Sequence, residues 1–446
     1  MQKPIFYKSF LVNCFFGNYV ILFGNKVIKK TRLLEIMKTI KNTSRKIGIN
    51  RLRLILIFIL FKLILAAQEN SIDWNFDNHY NNSRLFLHEM TNYEKELEWQ
   101  IENEDNQFFT NNMNLDFGSV SLNNLYNIID LKINHKFADK WKFILNYLTD
   151  ESKYKNLDIK FNYMGFERQL SSNFSLFSTC NTFYDKEDID VEFGFMLNHK
   201  VKNNYLRSSL IWENFLYNKK NNLSGKINHL SFGLKWLGLY NLKNFRLYSE
   251  GFYSNRFSAD YHDQSQQQTH SESKNNYALF KLYYIRLSDI LQYKLNIYNF
   301  YTKEAFQDNE LDYSYKNRII DHTLNYKFQI FENIFCKPEF LYLVQTAKAF
   351  GFKKYEFVRK EFIKALYFHY DSRYFTIKIG YLRTDFNNDY DDRHSDNDYK
   401  KDISTQKLFI GIFGDLSKNS RLLFSVSHEI RFHGFGGGNL QYQMFF

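Results

Sequence analysis

The sequence predicts an all-β fold, a transmembrane antiparallel up-and-down β-barrel of about 18 strands. From about residue 111 onwards, segments of about 9–13 residues alternate apolar and polar side chains, as strands with two different faces do. Turn residues separate these segments, and short connections alternate with longer polar ones. Phe occurs 47 times and Tyr 33 times, whereas Pro occurs twice, which excludes an intrinsically disordered chain.

The alternating segments also fit a soluble β-sandwich, but two features favour the barrel. Their length suits a tilted bilayer crossing of about 9–11 residues, whereas strands of globular proteins average about 5–6. Aromatic residues gather near strand ends, where the interfacial girdles of a membrane barrel lie; these are Trp141, Trp236, Tyr240 and Tyr374. A mean hydropathy of −0.49 does not oppose this interpretation, because barrel strands expose one polar face.

The first strand is predicted at about Asn111–Ser121 and the last at Asn439–Phe446, with 16 more from about Tyr126 to His433. The alternatives are totals of 16 and 20. An even number places both ends of the barrel on the periplasmic side. Short connections are predicted at 138–140, 170–173, 200–204, 238–244, 288–290, 331–333, 371–373 and 417–420, and the longest loops near 255–275, 302–317, 347–357 and 385–404.

The first 67 residues have the features of a secretory leader. Residues 54–67 read LILIFILFKLILAA, a run that is shorter than the roughly 20 apolar residues of a transmembrane helix and follows several basic residues. Met37 is a natural start, so the signal proper covers about 37–67, residues 1–36 form an extension, and cleavage is expected near Ala67. A genuine membrane anchor is the alternative.

The formal charge of +11 belongs to this leader. Residues 1–67 hold 13 of the 59 Lys and Arg residues and one of the 48 acidic residues, which leaves 46 basic and 47 acidic residues in the remainder. A nearly neutral mature chain removes the main support for nucleic-acid binding, and we expect no nucleic-acid partner.

Residues 68–110 are rich in Asn and Glu and differ from the strand series. They are predicted to form a periplasmic N-terminal segment or a plug in the lumen, and Tyr93–Ile101 suits a short amphipathic helix or a strand. Residues 111–446 form the predicted barrel.

If the barrel is a pore, the polar set of each strand lines it. The alternation turns seven basic and five acidic residues inward, a mixture that predicts little ion selectivity by itself. The predicted lumen-lining residues are Asp130, Lys132, Lys142, Asp158, Lys160, Asp190, Glu192, Lys235, Lys294, Asp321, Lys327 and Lys378.

The chain ends NLQYQMFF, in which Leu440, Tyr442, Met444 and Phe446 recur at steps of two. This end resembles the C-terminal strand of Gram-negative outer-membrane β-barrel proteins of the porin-like class. The resemblance implies that the four residues are the assembly signal read by the barrel-assembly machinery. It also implies outer-membrane localisation, with membrane lipid and lipopolysaccharide as surroundings.

Catalytic and metal motifs are weak throughout. No HExxH motif is present, and Ser427 and His428, adjacent on a predicted strand, would point to opposite faces, so no catalytic residue and no enzyme activity are predicted. The loop 385–402 is rich in Asp, but a solvated loop is favoured over a Ca²⁺ site, which leaves Asp389, Asp391, Asp396 and Asp398 as a weak metal candidate. No cofactor is predicted.

Two smaller features have ordinary interpretations. Phe435–Gly438 (FGGG) is interpreted as a tight extracellular turn between the last two strands. Cys180 and Cys336 are interpreted as free, buried thiols on strands that are not neighbours.

Barrels of 16–18 strands leave an aqueous channel unless they are plugged, so the leading hypothesis is passive diffusion of small hydrophilic solutes. The alternatives are a polysaccharide export or assembly barrel of the alginate-export type, and a plugged barrel that presents its loops for surface interactions. The sequence is compatible with an oligomer and does not predict the number of subunits.

Overall fold

The structure is a computed structural model, and it describes residues 21–23, 26–28, 97–106, 111–119, 125–152, 157–182, 188–199, 203–217, 225–229, 231–255, 257–262, 268–306, 312–351, 355–372, 374–392, 399–430 and 434–446. The predicted signal run at 54–67 lies outside these residues. Within the predicted leader, Ile21–Phe23 and Lys26–Ile28 form a separate two-stranded sheet.

One antiparallel sheet forms the barrel wall, and we number its strands β1 to β18 in chain order. The first nine strands are β1 Asn112–Ser119, β2 Leu125–Ala138, β3 Trp141–Ser152, β4 Leu157–Ser171, β5 Phe174–Thr182, β6 Asp188–His199, β7 Asn204–Tyr217, β8 Gly225–His229 with Ser231–Leu242, and β9 Phe245–Ser254 with Phe257–His262. The remaining nine are β10 Gln268–Arg286, β11 Asp289–Phe306, β12 Tyr313–Phe331, β13 Ile334–Gly351, β14 Tyr355–Asp371, β15 Thr376–Asp392, β16 Tyr399–Ser417, β17 Ser420–Glu429 and β18 Gly434–Phe445.

Strands β8 and β9 are each interrupted once but continue along one line of the wall. The two parts of β8 pair with the two parts of β9, Gly225–His229 with Phe257–His262 and Ser231–Leu242 with Phe245–Ser254. Counted in this way the wall has 18 strands, which confirms the predicted all-β, up-and-down barrel and its strand number.

The sheet closes on itself. The last strand, β18, pairs antiparallel with β1 from Gly438 opposite Ser119 to Phe445 opposite Asn112. Beyond this register, the backbone N–H of Phe446 donates to the carbonyl of Asn111 at 3.1 Å. Closure leaves no open sheet edge, and this is the condition for a β-structure in hydrocarbon.

The eight short connections lie at the end of the barrel that carries both of its termini, as predicted. Six of them are tight turns or bends centred on residues 139–140, 172–173, 243–244, 287–288, 332–333 and 418–419. The other two join β6 to β7 around Asn203 and β14 to β15 through 372–375.

The predicted long loops are largely wrong, because strands continue through most of them. At the end of the barrel opposite the termini, β10 to β16 have 17 to 19 residues each, well beyond the roughly 9–11 needed to cross a bilayer. The segments between described strands shrink to 263–267, 307–312, 352–354 and 393–398. Outside the bilayer a paired strand needs no apolar face, so loss of alternation marks the end of the lipid belt and not of the strand.

The predicted turn at Phe435–Gly438 is also wrong, because these residues lie within β18. The pairing of β17 with β18 shifts register between Ser427 and His428, and Gly437 adopts a φ of 120°. Glycine permits this conformation at the irregularity, so the glycine run serves a strand bulge.

The two faces of the wall differ in chemistry. Large apolar side chains such as Phe193, Leu210 and Leu408 are about half exposed on the outward face. Polar and charged side chains, among them Glu192, Gln292 and Glu361, are buried on the inward face. The outward face suits lipid, and the inward face defines a polar lumen.

We predict that Phe193→Lys lowers the free energy of unfolding by about 2–4 kcal/mol, because it places a charge on the lipid face. Equilibrium unfolding in urea with the barrel in lipid vesicles measures the change. Leu170→Lys, outward but two residues from a short turn, is the control and costs about 0–1 kcal/mol. Equal effects of the two substitutions would contradict the assignment of depth.

Leu440, Tyr442 and Met444 alternate with inward residues of β18, and Phe446 follows at the exposed end of the seam. We predict that deletion of Phe446 lowers the amount of folded, heat-modifiable protein in the membrane, whereas Phe446→Tyr, which keeps a terminal aromatic ring, does not. Assembly at the normal level without Phe446 would show that this residue is not part of the signal.

Candidate functional site: the barrel lumen

A single described helix, α1 (Leu97–Asn106), lies inside the barrel. Its side chains contact inward residues of β6 to β11 on one wall and of β16 to β18 on the other. A helix can touch both walls only from within the lumen. It lies within residues 68–110, the predicted periplasmic segment or plug. It begins at Leu97, four residues after Tyr93, where the predicted helix or strand Tyr93–Ile101 begins. Among the residues described, no helix has the length and apolarity to cross a membrane.

Glu104 connects α1 to several side chains of the barrel wall. Its carboxylate accepts hydrogen bonds from Tyr283 at 2.8 Å and Lys281 at 3.2 Å, and it forms a salt bridge with Arg246 at 3.1 Å. The side chains of Arg246 and Glu104 are only 4% and 7% exposed. A buried pair of this kind is costly to break on one side, because the remaining charge is left in a medium of low polarity.

Arg246 also holds the end of the helix. Its guanidinium donates to the carbonyl of Ile101 at 2.7 Å and to Asp105 at 2.7 Å. Tyr205 donates to the carbonyl of Glu104 at 2.8 Å. The carbonyl of Glu104, in the last turn of the helix, and the carbonyl of Ile101, one turn earlier, therefore have partners on the barrel wall.

The opposite wall contacts the other side of α1. Gln443 of β18 donates to Asn103 at 2.6 Å, and Arg421 of β17 pairs with Glu102. Trp99 packs edge-on against Phe413 of β16, with ring centroids 5.6 Å apart. Gln292 of β11 donates to Gln100 at 3.2 Å, so polar contacts connect α1 to both walls.

The sequence of α1 is poorly suited to an isolated helix. It has 10 residues, carries four acidic residues and has no basic residue in its last turn. Helices this short are marginal in water, and carboxylates near the C-terminus oppose the helix dipole. The basic residues Arg246, Lys281 and Arg421 of the wall offset that charge, so docking in the lumen stabilises the helix.

Most of the predicted lumen residues with described side chains lie in the inward wall and form local ion pairs or polar contacts. Asp130 pairs with Lys132 at 3.5 Å, and Lys142 pairs with Glu167 at 3.6 Å. Glu192 pairs with Lys235 and Arg207, both at 3.8 Å, and accepts hydrogen bonds from the hydroxyls of Ser209 and Thr179 at 2.6 and 2.9 Å. Asp190, Lys294, Asp321, Lys327 and Lys378 are buried.

Asp158 and Lys160 do not follow the predicted register. The uninterrupted pairing of β3 with β4 places them opposite Glu151 and Thr149, at positions that alternate with Glu167. Glu167 faces the lumen with Lys142, so the positions of Asp158 and Lys160 belong to the outward face. Their side chains lie outside the described residues.

The weak metal candidate is divided by the structure. Asp389 and Asp391 lie in β15, whereas Asp396 and Asp398 fall in 393–398, outside the described residues. In the described part of the chain, no group of three or more His, Cys, Asp or Glu side chains is placed to hold a metal ion. Ser427 is buried and His428 exposed, on opposite faces of β17.

Arg246, Lys281, Arg421 and Glu104 were not singled out from the sequence. The contacts that join these residues across α1 and the wall span 101 to 319 residues of the chain, so no local pattern connects them. The sequence signal for these contacts is composition. The segment of α1 is acidic and holds no basic residue, whereas the barrel strands that follow carry inward basic residues.

Comparisons with known proteins give weak similarity to solved barrels. OmpT, an outer membrane protein of Vibrio cholerae, is 9% identical with a TM-score of 0.31, and the match covers 75% of this chain and 96% of that chain. OccAB3 of Acinetobacter baumannii is 12% identical with a TM-score of 0.36 and coverage of 75% and 98%. A bacterial polysaccharide outer membrane secretin is 7% identical with a TM-score of 0.35 and coverage of 76% and 98%. No protein-family model and no curated protein matches the chain.

At these values the similarity carries no argument about activity.

We predict that Arg246→Gln accelerates hydrogen–deuterium exchange of the amides of α1 by about tenfold or more, because Glu104 loses its buried cation. Arg207→Gln is the matched control, since Arg207 lies in the same lumen but pairs with Glu192. Exchange in α1 that is unchanged by Arg246→Gln would show that the helix is held by other contacts.

Proposed function

We propose that the protein is an outer-membrane channel for small hydrophilic solutes whose lumen is narrowed by α1. The observation that carries the proposal is the combination of a closed 18-strand wall with a polar inward face. Barrels of this size enclose a channel or a plugged lumen, depending on what fills them. The apolar outward face and the exposed aromatic residues Trp141, Tyr240 and Tyr374 near the short turns support a membrane location.

The position of α1 gives the channel a regulated character. The helix lies between two walls and is held by charged contacts, of which Glu104–Arg246 is buried and Glu102–Arg421 is partly exposed. Its described contacts lie on strands near the short turns, which supports a constriction towards the periplasmic end. Solutes that cross the barrel either pass beside α1 or require that α1 moves out of the lumen.

The second candidate function is a surface-interaction barrel that α1 keeps closed. The same contacts on both walls favour it, and the tall strands β10 to β16 would present its binding surface. Transport measurements separate the two functions.

We predict that the full-length barrel gives steady but small single-channel conductance in planar bilayers, and that Arg246→Gln with Arg421→Gln raises it severalfold. Both substitutions remove wall cations that hold α1. Arg207→Gln with Lys142→Gln is the matched control, because it removes two lumen cations that do not contact the helix.

A barrel that conducts no ions and passes no small solutes, in either the native or the doubly substituted form, would contradict a channel and favour the interaction barrel. Equal rises in the test and control variants would show that lumen charge, and not α1, sets the conductance.

A further inference from the structure

The outward face of the wall carries cations on β12 to β15, above the apolar belt. Within the described side chains, Lys316, Arg318, Lys348, Lys360, Lys364 and Arg383 are all exposed on this face. They alternate with inward residues such as Arg359, Glu361 and Thr384, which are buried. The set lies on the half of the barrel away from the chain termini, and we call it the cation belt.

Two features of the cation belt are unfavourable for the barrel alone. Lys364 of β14 lies directly opposite Arg383 of β15, and Lys316 of β12 lies directly opposite Lys348 of β13. Like charges at directly opposite positions destabilise a sheet. Each pair has one carboxylate nearby, Asp385 at 2.9 Å from Arg383 and 3.4 Å from Lys364, and Glu356 at 2.6 Å from Lys348. Among the described side chains, each group therefore carries one more positive than negative charge.

The first pair, Lys364 and Arg383, lies at the upper edge of the apolar belt. Lys364 is directly opposite Phe340 on its other neighbour, β13, and Phe340 is about half exposed. Below the pair, the outward face continues with Leu366, Tyr381 and Leu408. Cations therefore sit on the upper edge of a surface that accepts acyl chains.

From this arrangement we propose that the outward face of β12 to β15 binds the phosphate groups of an anionic glycolipid, lipopolysaccharide, in the outer leaflet, with Lys364 and Arg383 as the central pair. The proposal rests on the proposed membrane location and adds a specific lipid site to it. Acyl chains of such a lipid pack against the apolar belt, while its phosphates lie at the height of the cations. A phosphate between Lys364 and Arg383 removes their repulsion and forms charge-assisted hydrogen bonds with both.

The test is binding of fluorescent bis-phosphorylated lipid A to the full barrel in dodecylmaltoside micelles. We expect Lys364→Gln with Arg383→Gln to weaken binding by about 10- to 30-fold, because each cation near a lipid surface contributes about 1 kcal/mol. Lys140→Gln with Lys418→Gln is the control, since both residues are exposed lysines at short turns on the other end, and it leaves binding unchanged. Heat-modifiability establishes that each variant is folded.

Three results would overturn the proposal. Lipid A could bind the double variant as tightly as the native protein. Inorganic phosphate alone could displace lipid A at equal concentration, which would identify a site for a free anion. The double substitution could change the number of subunits and leave lipid binding intact, which would identify an interface with a second copy. Failure of the barrel to insert into lipid vesicles would instead overturn the proposed location.

Discussion

The rest of the structure depends on one constraint, that every backbone N–H and C=O inside a bilayer needs a partner within the chain. The 18 strands meet it by closing into a ring, in which β18 pairs with β1 over eight residue positions. Closure fixes the alternation of faces around the whole wall. It thereby sends Glu192 and Gln292 inward and Phe193 and Leu408 outward, and it creates the lumen in which α1 lies.

The lumen neutralises its charges mostly in local pairs. Glu192 is shared by Lys235 and Arg207, and Lys142 faces Glu167. The acidic residues of α1 supply carboxylates to Arg246 and Lys281, and a second carboxylate to Arg421, which also pairs locally with Asp415. A helix that is electrostatically unfavourable in isolation thus complements a wall with an excess of inward cations at the same level. This mutual dependence makes α1 part of the barrel.

The barrel could be predicted from the sequence because a strand that separates lipid from water has a period of two. That period gave the inward positions of Asp130, Lys235 and Lys294 and the outward positions of Leu440 and Tyr442. The backbone pairing of β3 with β4 assigns positions 158 and 160, close to the rim, to the outward face. The period failed in the predicted loops, since Asp385 and Asn387 lie within a paired strand. The polarity of a side chain indicates whether it is surrounded by lipid or by water. Above the bilayer, both faces of a strand are in water.

The contacts of α1 could not be predicted, because Glu104 and its partners are separated by more than 100 residues and share no motif.

The most direct test of the account is cysteine cross-linking of α1 to each wall in a background without Cys14, Cys180 and Cys336. The pairs are Asn103→Cys with Gln443→Cys and Gln100→Cys with Gln292→Cys, whose native side chains lie in hydrogen-bond contact. A helix held between the walls predicts efficient cross-linking of both pairs in the folded barrel. Cross-linking of neither pair, or of one pair alone, would contradict the position of α1.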